Sequence, residues 1–560
     1  MIETKELQIN ILSGLTVGVV ALPLSMALAI ASGVPPQYGL YTAIIAGIVI
    51  ALAGSSKVNI SGPTAAFVVI LLPITQEFGL GGLLLSGLMA GIILVLMGIG
   101  RLGSMIELVP YPVTVGFTSG IAVVIATIQV KDFLGLDIEN LNGHYWQKLE
   151  TIIYALPSLQ WQEILIASIT LFVLIAWPKC NSSIPSHLVA LAVGSALAYA
   201  GQYFIPSFSV ATIGTAFHYS IDGILGHGIP PIAPQFAWPW QLPNAQGTPI
   251  GLSFDLISSL FGAAFAIAIL GAIESLLCAV VSDSMNGTKT DPNRELIGQG
   301  IGNIIVPFFG GIPATAAIAR TAMNVRAGGS LPLSSIIHAL FILLSIVLLA
   351  SLLSYIPMAS MAALLIIVAW NMSEAKHFIH VIKVAPRHDV MVLLTCFSLT
   401  VMLDMEIAVA SGMVLAAVLF IKRTIELTGV DLIKQGDSNQ YPDLSEEVIV
   451  YDINGPMFFG AAQNALKTLA NIRVEIKVVV IDMDDVSMMD MTAIVAMGSI
   501  VENLKKKDIQ LIINAIHPRI KAKLIKANVI QENMHIEFFS EIKNSISRAN
   551  ELTMLTKRSI

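Results

Sequence analysis

The sequence predicts a polytopic α-helical membrane protein with fourteen transmembrane segments in two inverted seven-segment repeats, followed by a soluble α/β domain. Composition is the first reason: the 560 residues are 55% hydrophobic and only 12% charged, whereas a soluble globular protein carries roughly 25% charged residues. A single buried core does not account for this, because cores stop growing near about 250–300 residues. Charge distribution is the second reason, since 15 of the 30 Lys and Arg residues and 17 of the 37 Asp and Glu residues follow position 430. We therefore expect a membrane domain over residues 1–425, a linker over 426–445 and a C-terminal domain over 446–560.

Fourteen apolar runs have the length of a membrane span, which needs about 20 residues and fewer where a helix is broken. With the N-terminus inside, the even-numbered connections contain eleven Lys or Arg residues, whereas the odd-numbered ones contain only Lys131 and Lys148. The Pro- and Trp-rich stretch from Tyr203 to Asp255 contains none. The positive-inside rule therefore places both termini in the cytoplasm and this stretch outside. The runs centre near positions 20, 46, 68, 88, 118, 169, 196, 267, 302, 320, 342, 364, 395 and 413.

Two of these segments are short, and each follows a proline: the third follows Pro63 and the tenth follows Pro313. They hold corresponding positions in the two halves but run in opposite directions, which is typical of an inverted repeat and of a transport site. Irregular backbone at membrane depth persists only inside protein or beside a water-filled cavity, so we expect an extended segment before each proline and a half-helix directly after it. The free N–H groups and positive dipole ends of two such half-helices would form an anion site. A proline kink with small residues for helix packing is the alternative interpretation.

The residues after the two prolines suit this anion site. Thr64 and Thr315 can donate hydroxyl hydrogen bonds. Small side chains that let a ligand approach closely accompany them: Ala65, Ala66, Ala316 and Ala317.

Glu274, in the middle of the eighth span, is a functional candidate because an intramembrane carboxylate is costly. Burial in a low-dielectric environment favours the neutral form of a carboxyl, so Glu274 could exchange protons near neutral pH. A structural role for Glu274, as a carboxylate paired with Arg320 or another donor, is the alternative.

Arg320 could supply positive potential to the anion site, or it could extend to the cytoplasmic interface. Cys278 shares the helical face of Glu274 and is interpreted as a packing residue.

The C-terminal region alternates strand-like and helix-like patterns, which predicts a small α/β domain. Strand-like runs are "VIVYDINGPMFFG", "KVVVIDM" and "DIQLIINAI". The region contains no Walker-type phosphate loop, so an ATPase is not expected. Helices of this C-terminal domain are expected near Ala461–Ile472, Thr492–Leu504, Pro518–Ala527 and Ser540–Asn550.

The three cysteines of the chain form neither a metal pattern nor a disulfide framework.

Four motifs resemble those of the SulP anion transporters, the sulfate permease family: "PPQYGLYTAIIAGIVIALAGSSKVNISGPTAA", "LGAIESLL", "NRELIGQGIGN" and "GGIPATAAIAR". The C-terminal region resembles a STAS domain, so the resemblance covers essentially the whole chain. It implies a core domain and a gate domain built from the two inverted halves, a cytoplasmic STAS domain and a homodimer. Glu274 takes the proton-coupling position. The residues that the resemblance assigns to substrate binding are Thr64, Ala65, Ala66, Phe67, Thr315, Ala316, Ala317, Ile318 and Arg320.

Within this family the chain is most similar to bacterial dicarboxylic acid transporters, which implies uptake of succinate, fumarate or aspartate. The motifs "PQYGLYTA", "SGPTAAFVVIL", "LGAIESLLCAVV" and "VAWNMSEA" carry this similarity. The predicted pocket is less polar than in some relatives, because Leu24 replaces a common Gln, and Ile318 and Ala319 occupy positions where a Ser or Thr is frequent. Sodium-using bicarbonate transporters of the family carry Asp at the position of Glu274. Glu there, with Cys278 in place of a hydroxyl residue, favours coupling to protons over coupling to sodium.

These observations predict a secondary active transporter, not an enzyme, that moves its core against its gate by an elevator-like or rocking motion. We expect proton-coupled dicarboxylate uptake across a bacterial cytoplasmic membrane, with no metal or other cofactor and no nucleic-acid partner. The STAS domain is a candidate for binding a cytoplasmic partner. Three alternatives stay open: a sulfate or bicarbonate transporter of the same fold, a channel-like anion conductor, and a sensor whose membrane part only reports to the STAS domain.

Overall fold

The protein is described by a computed structural model, whose contacts divide the chain into two compact units, Met1–Ala416 and Ala417–Ile560. The first unit is mainly helical, and the second contains a five-stranded sheet. The described residues are 4–104, 109–138, 141, 143–180, 182, 184–221, 223–403, 405–427, 429–433, 443–457, 475–530 and 536–558.

Apolar runs of spanning length form helices in the first unit, because a helix satisfies every backbone N–H and C=O group within its own segment. In the described residues, eight helices are long and apolar enough to cross a membrane. Four short strands accompany them: β1 Ser61–Gly62, β2 His218–Ile221, β3 Ile224–His227 and β4 Thr315–Ala316. The helices, the last of which crosses into the second unit, are α1 Thr4–Ala31, α2 Pro36–Ala53, α3 Ala65–Ile99, α4 Tyr111–Leu134, α5 Tyr145–Ala155, α6 Trp161–Ala176, α7 Ser186–Phe204, α8 Ile213–Ala216, α9 Phe254–Asn286, α10 Pro292–Ile305, α11 Ile318–Arg326, α12 Leu333–Leu353, α13 Met358–Ser373, α14 Ala375–Val384, α15 Arg387–Met402 and α16 Met405–Leu427.

All fourteen predicted segment centres lie within helices. Positions 68 and 88 share α3, whose two halves meet at Gly79, where φ is 69° and ψ is −169°. A Cβ atom on Gly79 would lie 2.3 Å from the carbonyl carbon of Asn244. The bend therefore needs glycine both for its backbone angles and for this close approach. The sequence did not predict the additional helices α5, α8 and α14 or the β2–β3 hairpin.

Twelve of the described helices of the first unit form two bundles. One bundle contains α1, α2, α3, α9, α10, α11 and α12, and the other contains α4, α6, α7, α13 and α15. The first bundle thus takes predicted segments one to four and eight to eleven, which are equivalent positions in the two halves. An inverted repeat produces this sharing of elements.

The strands β1 and β4 join the two halves at the centre of the first bundle. They pair in antiparallel orientation, with Ser61 opposite Ala316 and Gly62 opposite Thr315. The N–H group of Ala317 extends this pairing by donating to the carbonyl oxygen of Ile60 at 2.9 Å. The extended residues of one half therefore satisfy those of the other half.

The turn before β1 is held by the buried carboxylate of Glu295 on α10, which is 1% exposed. Its Oε2 atom accepts hydrogen bonds from the N–H groups of Ser55 and Ser56, both at 2.9 Å. Its Oε1 atom accepts from Asn59 Nδ2 at 3.0 Å and from Gln299 Nε2 at 3.2 Å. One carboxylate therefore receives four donors, which offsets the cost of burying its charge.

Two buried asparagine side chains form hydrogen bonds with backbone groups on either side of the β1–β4 pair. Asn303 of α10 donates to the Ala314 carbonyl oxygen and accepts from the Ala314 N–H group, both at 2.8 Å. Asn324 of α11 donates to the Val58 carbonyl oxygen at 2.8 Å and accepts from Ser13 Oγ of α1 at 2.7 Å. A side-chain amide carries both a donor and an acceptor, so it can replace a neighbouring strand.

The second unit is an α/β domain in which a sheet lies between helices. Its strands are β5 Gly429–Ile433, β6 Val448–Asn454, β7 Val478–Asp482, β8 Gln510–Asn514 and β9 Ile536–Phe539, and its helices are α17 Met491–Lys506, α18 Pro518–Lys526 and α19 Ile542–Arg558. The strands lie side by side in chain order; β5 is antiparallel to β6, and the other pairs are parallel.

Strand β7 is buried on both faces of this sheet. Val479 and Ile481 pack in a core cluster that includes α17 and α18 residues, and Val478 and Val480 pack in a second cluster that includes Ile546 of α19. Burial on both faces explains the continuous apolar run in the sequence.

The predicted strands near 448, 478 and 510 are confirmed, and so are the helices near 492 and 518. The last helix begins two residues later than predicted, at Ile542, and continues to Arg558. The sequence missed β5, which falls in the predicted linker, and β9, which is only four residues long. The predicted helix Ala461–Ile472 lies outside the described residues.

The substitution Glu295→Gln should lower the thermal unfolding temperature of the purified protein. The new amide NH2 group would face donors at one of the two carboxylate oxygens, and each buried donor left without an acceptor costs about 1–3 kcal/mol. Glu150→Gln, at an exposed position of α5, is the control and should leave the unfolding temperature unchanged. Equal unfolding temperatures for Glu295→Gln and the parent protein would contradict this role of Glu295.

Candidate functional site

The half-helix of the first repeat begins where the sequence predicts. Helix α3 starts at Ala65, two residues after Pro63, and its N-cap Thr64 has extended backbone angles. The Thr64 side chain makes no capping hydrogen bond. The positive end of α3 therefore has no side-chain acceptor from its own N-cap.

The half-helix of the second repeat begins later than the sequence predicts. Helix α11 starts at Ile318, not directly after Pro313, and its N-cap Ala317 provides no side-chain cap. The delay arises because Asn303 binds both backbone polar groups of Ala314 and because β4 pairs with β1. Pro313 therefore marks the start of an extended segment, and the expected helix directly after it is wrong.

Helix α9 contacts the N-cap residue of α3 and strand β4 through consecutive residues. Thr64 Oγ1 donates a hydrogen bond to Glu274 Oε2 at 2.8 Å. Ser275 Oγ lies 2.7 Å from Thr315 Oγ1, which is also 3.2 Å from the carbonyl oxygen of Gly271. Both threonine hydroxyls predicted as ligand donors are thus engaged with α9 in this structure.

Arg320 is buried behind β1, with 2% of its surface exposed. Its Nη2 atom donates to the Pro63 carbonyl oxygen, and the guanidinium interacts electrostatically with Glu274. A Cβ atom on Gly62 would lie 2.8 Å from Arg320 Nη1, so the guanidinium packs directly against that glycine. The alternative that Arg320 extends to the cytoplasmic interface is therefore wrong.

Exposure separates the predicted substrate-binding residues, together with the predicted proton-coupling residue Glu274, into two sets. Ala65, Glu274 and Ala317 are half-buried, and Ile318 is 41% exposed. These residues line the accessible side of the junction between α3 and α11. The remaining predicted residues are buried, with exposures of 8% or less: Thr64, Ala66, Phe67, Thr315, Ala316 and Arg320.

The accessible junction has the electrostatic character of an anion site. The N-termini of α3 and α11 contribute positive dipole ends, and the Arg320 guanidinium adds a buried positive charge. Glu274 is the carboxylate of this junction and accepts from the N-cap residue of α3. In the described part of the chain, no group of three or more His, Cys, Asp or Glu side chains could hold a metal ion.

A cavity of about 400 Å³ lies elsewhere in the first unit, lined by residues of α3, α4, α5 and α15 that include Glu77, His144, Lys148 and Thr400. None of the predicted substrate-binding residues lines it. The half-helix junction remains the better candidate for an anion site, because two helix N-termini and a buried arginine converge there.

Sequence reasoning missed the residues that hold this junction in place, notably Ser275 of α9 and Asn324 of α11. For α10, however, the spacing of the polar residues in the sequence did indicate a buried hydrogen-bond network. Glu295, Gln299 and Asn303 are four residues apart and therefore share one helical face. Such a polar stripe inside an otherwise apolar bundle indicates a buried hydrogen-bond network.

Comparison with known proteins identifies the family. Residues 7–396 match the sulfate permease family, and residues 442–548 match the STAS domain. The chain belongs to the sulfate permease family. This family consists of anion transporters, so the chain is a multi-pass membrane protein of a transporter family, as its motifs predicted.

Two curated relatives of this sulfate permease family member match over most of its length. The putative sulfate transporter YvdB of Bacillus subtilis (strain 168) is 39% identical over 540 residues, which cover 96% of each chain. The bicarbonate transporter BicA of Picosynechococcus is 29% identical over 539 residues, which cover 91% of this chain and 89% of the relative.

Two solved structures resemble this sulfate permease family member. The transmembrane domain of a cyanobacterial bicarbonate transporter BicA matches with a TM-score of 0.61 and 26% identity, over 74% of this chain and 98% of that one. The murine anion transporter Slc26a9, in an inward-facing state, matches with a TM-score of 0.83 and 18% identity, over 98% of this chain and 92% of that one. The predicted fold class, a helical transport domain followed by a STAS domain, is confirmed.

The substitution Gly62→Ala should reduce anion uptake into proteoliposomes at least about tenfold without unfolding the protein. The new Cβ atom would meet only the end of the Arg320 side chain at 2.8 Å, so the guanidinium must leave its place against Pro63, which removes a hydrogen bond to a charged group. Gly498→Ala is the matched control, because its Cβ atom would lie 3.4 Å from Val529 Cγ2 in ordinary contact. Parent-like uptake by Gly62→Ala would contradict the placement of Arg320.

Proposed function

We propose that this protein is a proton-coupled secondary active anion transporter that binds its substrate at the junction of α3 and α11. One observation carries the proposal: the half-buried carboxylate of Glu274 accepts a hydrogen bond from Thr64, the N-cap residue of α3. A group that can gain or lose a proton thus lies at the positive helix end where an anion would bind.

Repulsion between like charges would couple the anion to the proton. An anion about 4 Å from ionised Glu274 would be repelled by about 4 kcal/mol at an effective dielectric constant of about 20. Protonation of Glu274 removes this repulsion and leaves the positive potential of the helix ends and of Arg320 for the anion.

The Thr64 hydroxyl would switch partners in the same step. It donates to the carboxylate of Glu274 in this structure. A protonated Glu274 can instead donate to Thr64 Oγ1, because a hydroxyl both donates and accepts. The hydrogen of the Thr64 hydroxyl is then free to point at the bound anion.

The substrate is proposed to be a small oxyanion. The motif resemblance supports dicarboxylates, namely succinate, fumarate and aspartate. The names of the relatives support a second candidate substrate class, since YvdB is called a putative sulfate transporter and BicA a bicarbonate transporter. Backbone N–H groups at helix ends bind carboxylate, sulfate and bicarbonate oxygens alike, so the junction is compatible with either class.

We further infer that transport moves the α1–α3 and α9–α12 bundle, as the core, against the bundle of α4, α6, α7, α13 and α15. The chain is proposed to act as a homodimer in the cytoplasmic membrane of a bacterium, with both termini in the cytoplasm. Protons, rather than sodium, are the proposed coupling ion, and no other cofactor is required.

The substitution Glu274→Gln should abolish the stimulation of uptake by an inward proton gradient, because an amide cannot take up the coupled proton. Uptake of radiolabelled succinate and sulfate into proteoliposomes, with and without an imposed gradient, measures this. Asp255→Asn, at an exposed position of the first turn of the same helix, is the control and should retain the stimulation. Unchanged stimulation in Glu274→Gln would show that the coupling role is wrong.

Competition should separate the substrate classes. If dicarboxylates are the substrate, excess unlabelled fumarate or aspartate should inhibit uptake of labelled succinate, and sulfate and bicarbonate should not. The reverse order of inhibition would support the inorganic anions.

Saturable uptake without single-channel currents in planar bilayers is expected, and resolved unitary currents would instead support the channel-like conductor.

A further inference from the structure

The guanidinium of Arg320 has donors that the junction does not use. Its Nη2 atom donates to the Pro63 carbonyl oxygen, but Nε and Nη1 are buried without a hydrogen-bond partner among the described residues. A buried donor of a charged group that stays unpaired costs more than about 1–3 kcal/mol. A partner for Nη1 is therefore expected in the space next to it.

His338 of α12, in the same bundle, is also buried with a polar side-chain atom that lacks a hydrogen-bond partner among the described residues. Its side chain is 0% exposed, and at most one ring nitrogen has a hydrogen-bond partner, the backbone of Ser335, in the part of the chain that the structure describes. The imidazole also interacts electrostatically with Arg320. A neutral imidazole has one donor and one acceptor nitrogen, so it could complement a guanidinium that has only donors.

Both side chains lie near one face of α2, His338 beside Gly47 and Arg320 through its contact with Gly62. Arg320 Nη1 lies 2.8 Å from the Cβ position of Gly62, which is 3.5 Å from Ala43 Cα. His338 Nδ1 lies 3.5 Å from the Cβ position of Gly47. Ala43 and Gly47 are four residues apart, so they share a helical face and are separated by about 6 Å along the axis.

We propose that a buried water bridges Arg320 Nη1 and the imidazole of His338, and that His338 is thereby a positioning residue for the Arg320 guanidinium. The water accepts from Arg320 and donates to the acceptor nitrogen of His338. Buried waters of this kind satisfy polar groups that the protein cannot pair directly. Ser335 Oγ fixes the neighbouring helices by donating to the Gly47 carbonyl oxygen at 2.8 Å, so the spacing between α2 and α12 is set beside the proposed water.

With this bridge the Arg320 guanidinium has two acceptors. The Pro63 carbonyl oxygen receives one donor at the junction, and His338 receives another through water at α2. A guanidinium held in this way keeps its charge close to the accessible junction without entering it. This inference rests on the proposed function in one respect, namely that Arg320 contributes to anion binding.

Uptake kinetics test the inference. His338→Phe keeps most of the ring volume but removes both nitrogens, so the KM for radiolabelled succinate or sulfate should rise about 10-fold, the size expected for one lost hydrogen bond to a charged group. His338→Gln restores an acceptor and should return KM to within about threefold of the parent value. Ser345→Ala, on the same helix, is the control, because among the described residues Ser345 Oγ bonds only to the Phe341 carbonyl oxygen of its own helix.

A double-mutant cycle tests the contact without any anion. Unfolding temperatures of His338→Phe, Arg320→Lys and the double variant should be non-additive, with the double variant losing less than the sum. Gly62→Ala replaces Arg320→Lys in the cycle if the latter does not fold. Additive shifts, or a parent-like KM in His338→Phe, would overturn the inference. Non-additive shifts in a protein that transports neither anion would support the contact and count against the proposed function.

Discussion

Backbone that leaves helical geometry inside a membrane domain must find its hydrogen-bond partners within the protein. The junction of the two repeats meets this constraint with a sheet of only two residues per strand and with side chains from the surrounding helices. Glu295 receives the N–H groups of the turn before β1, Asn303 pairs with Ala314, and Asn324 reaches the carbonyl oxygen of Val58. Because the side chains that bind the residues before α3 come from α10 and α11 of the second repeat, the start of α3 depends on the assembly of both repeats. The candidate anion site is thus a product of tertiary packing.

The junction combines a symmetric backbone with asymmetric chemistry. Consecutive residues of a helix point about 100° apart, so one helix between the two halves can contact both, and α9 does so through Glu274 and Ser275. The contact with Thr64 involves a half-buried group that can titrate, whereas the contact with Thr315 joins two buried hydroxyl groups. One repeat therefore supplies a contact with an ionisable group, and the other supplies a contact between two hydroxyl groups that holds the strand in place.

The sequence predicted the membrane helices well, because an apolar run of spanning length has few ways to satisfy its backbone. It also placed the first half-helix, since Pro63 immediately precedes the N-cap of α3. The same signal failed at Pro313, because Asn303 holds Ala314 in extended geometry. The burial of Arg320 could not be predicted from the sequence either, because it depends on how closely the backbone of the other repeat approaches the side chain. The polar stripe of α10, in contrast, was visible in the spacing of its residues.

The β1–β4 pair has a consequence for which changes in chain length the protein can tolerate. Successive residues of a strand point to opposite faces, so a shift of one residue exchanges the two faces. An insertion in β1 would move Gly62 away from the guanidinium of Arg320 and present a bulkier neighbour in its place. An insertion in β4 would likewise turn the Thr315 hydroxyl away from Ser275. The lengths of β1 and β4, which are more than 250 positions apart in the chain, therefore depend on each other. A deletion in one strand can be accommodated only by a matching change in the other.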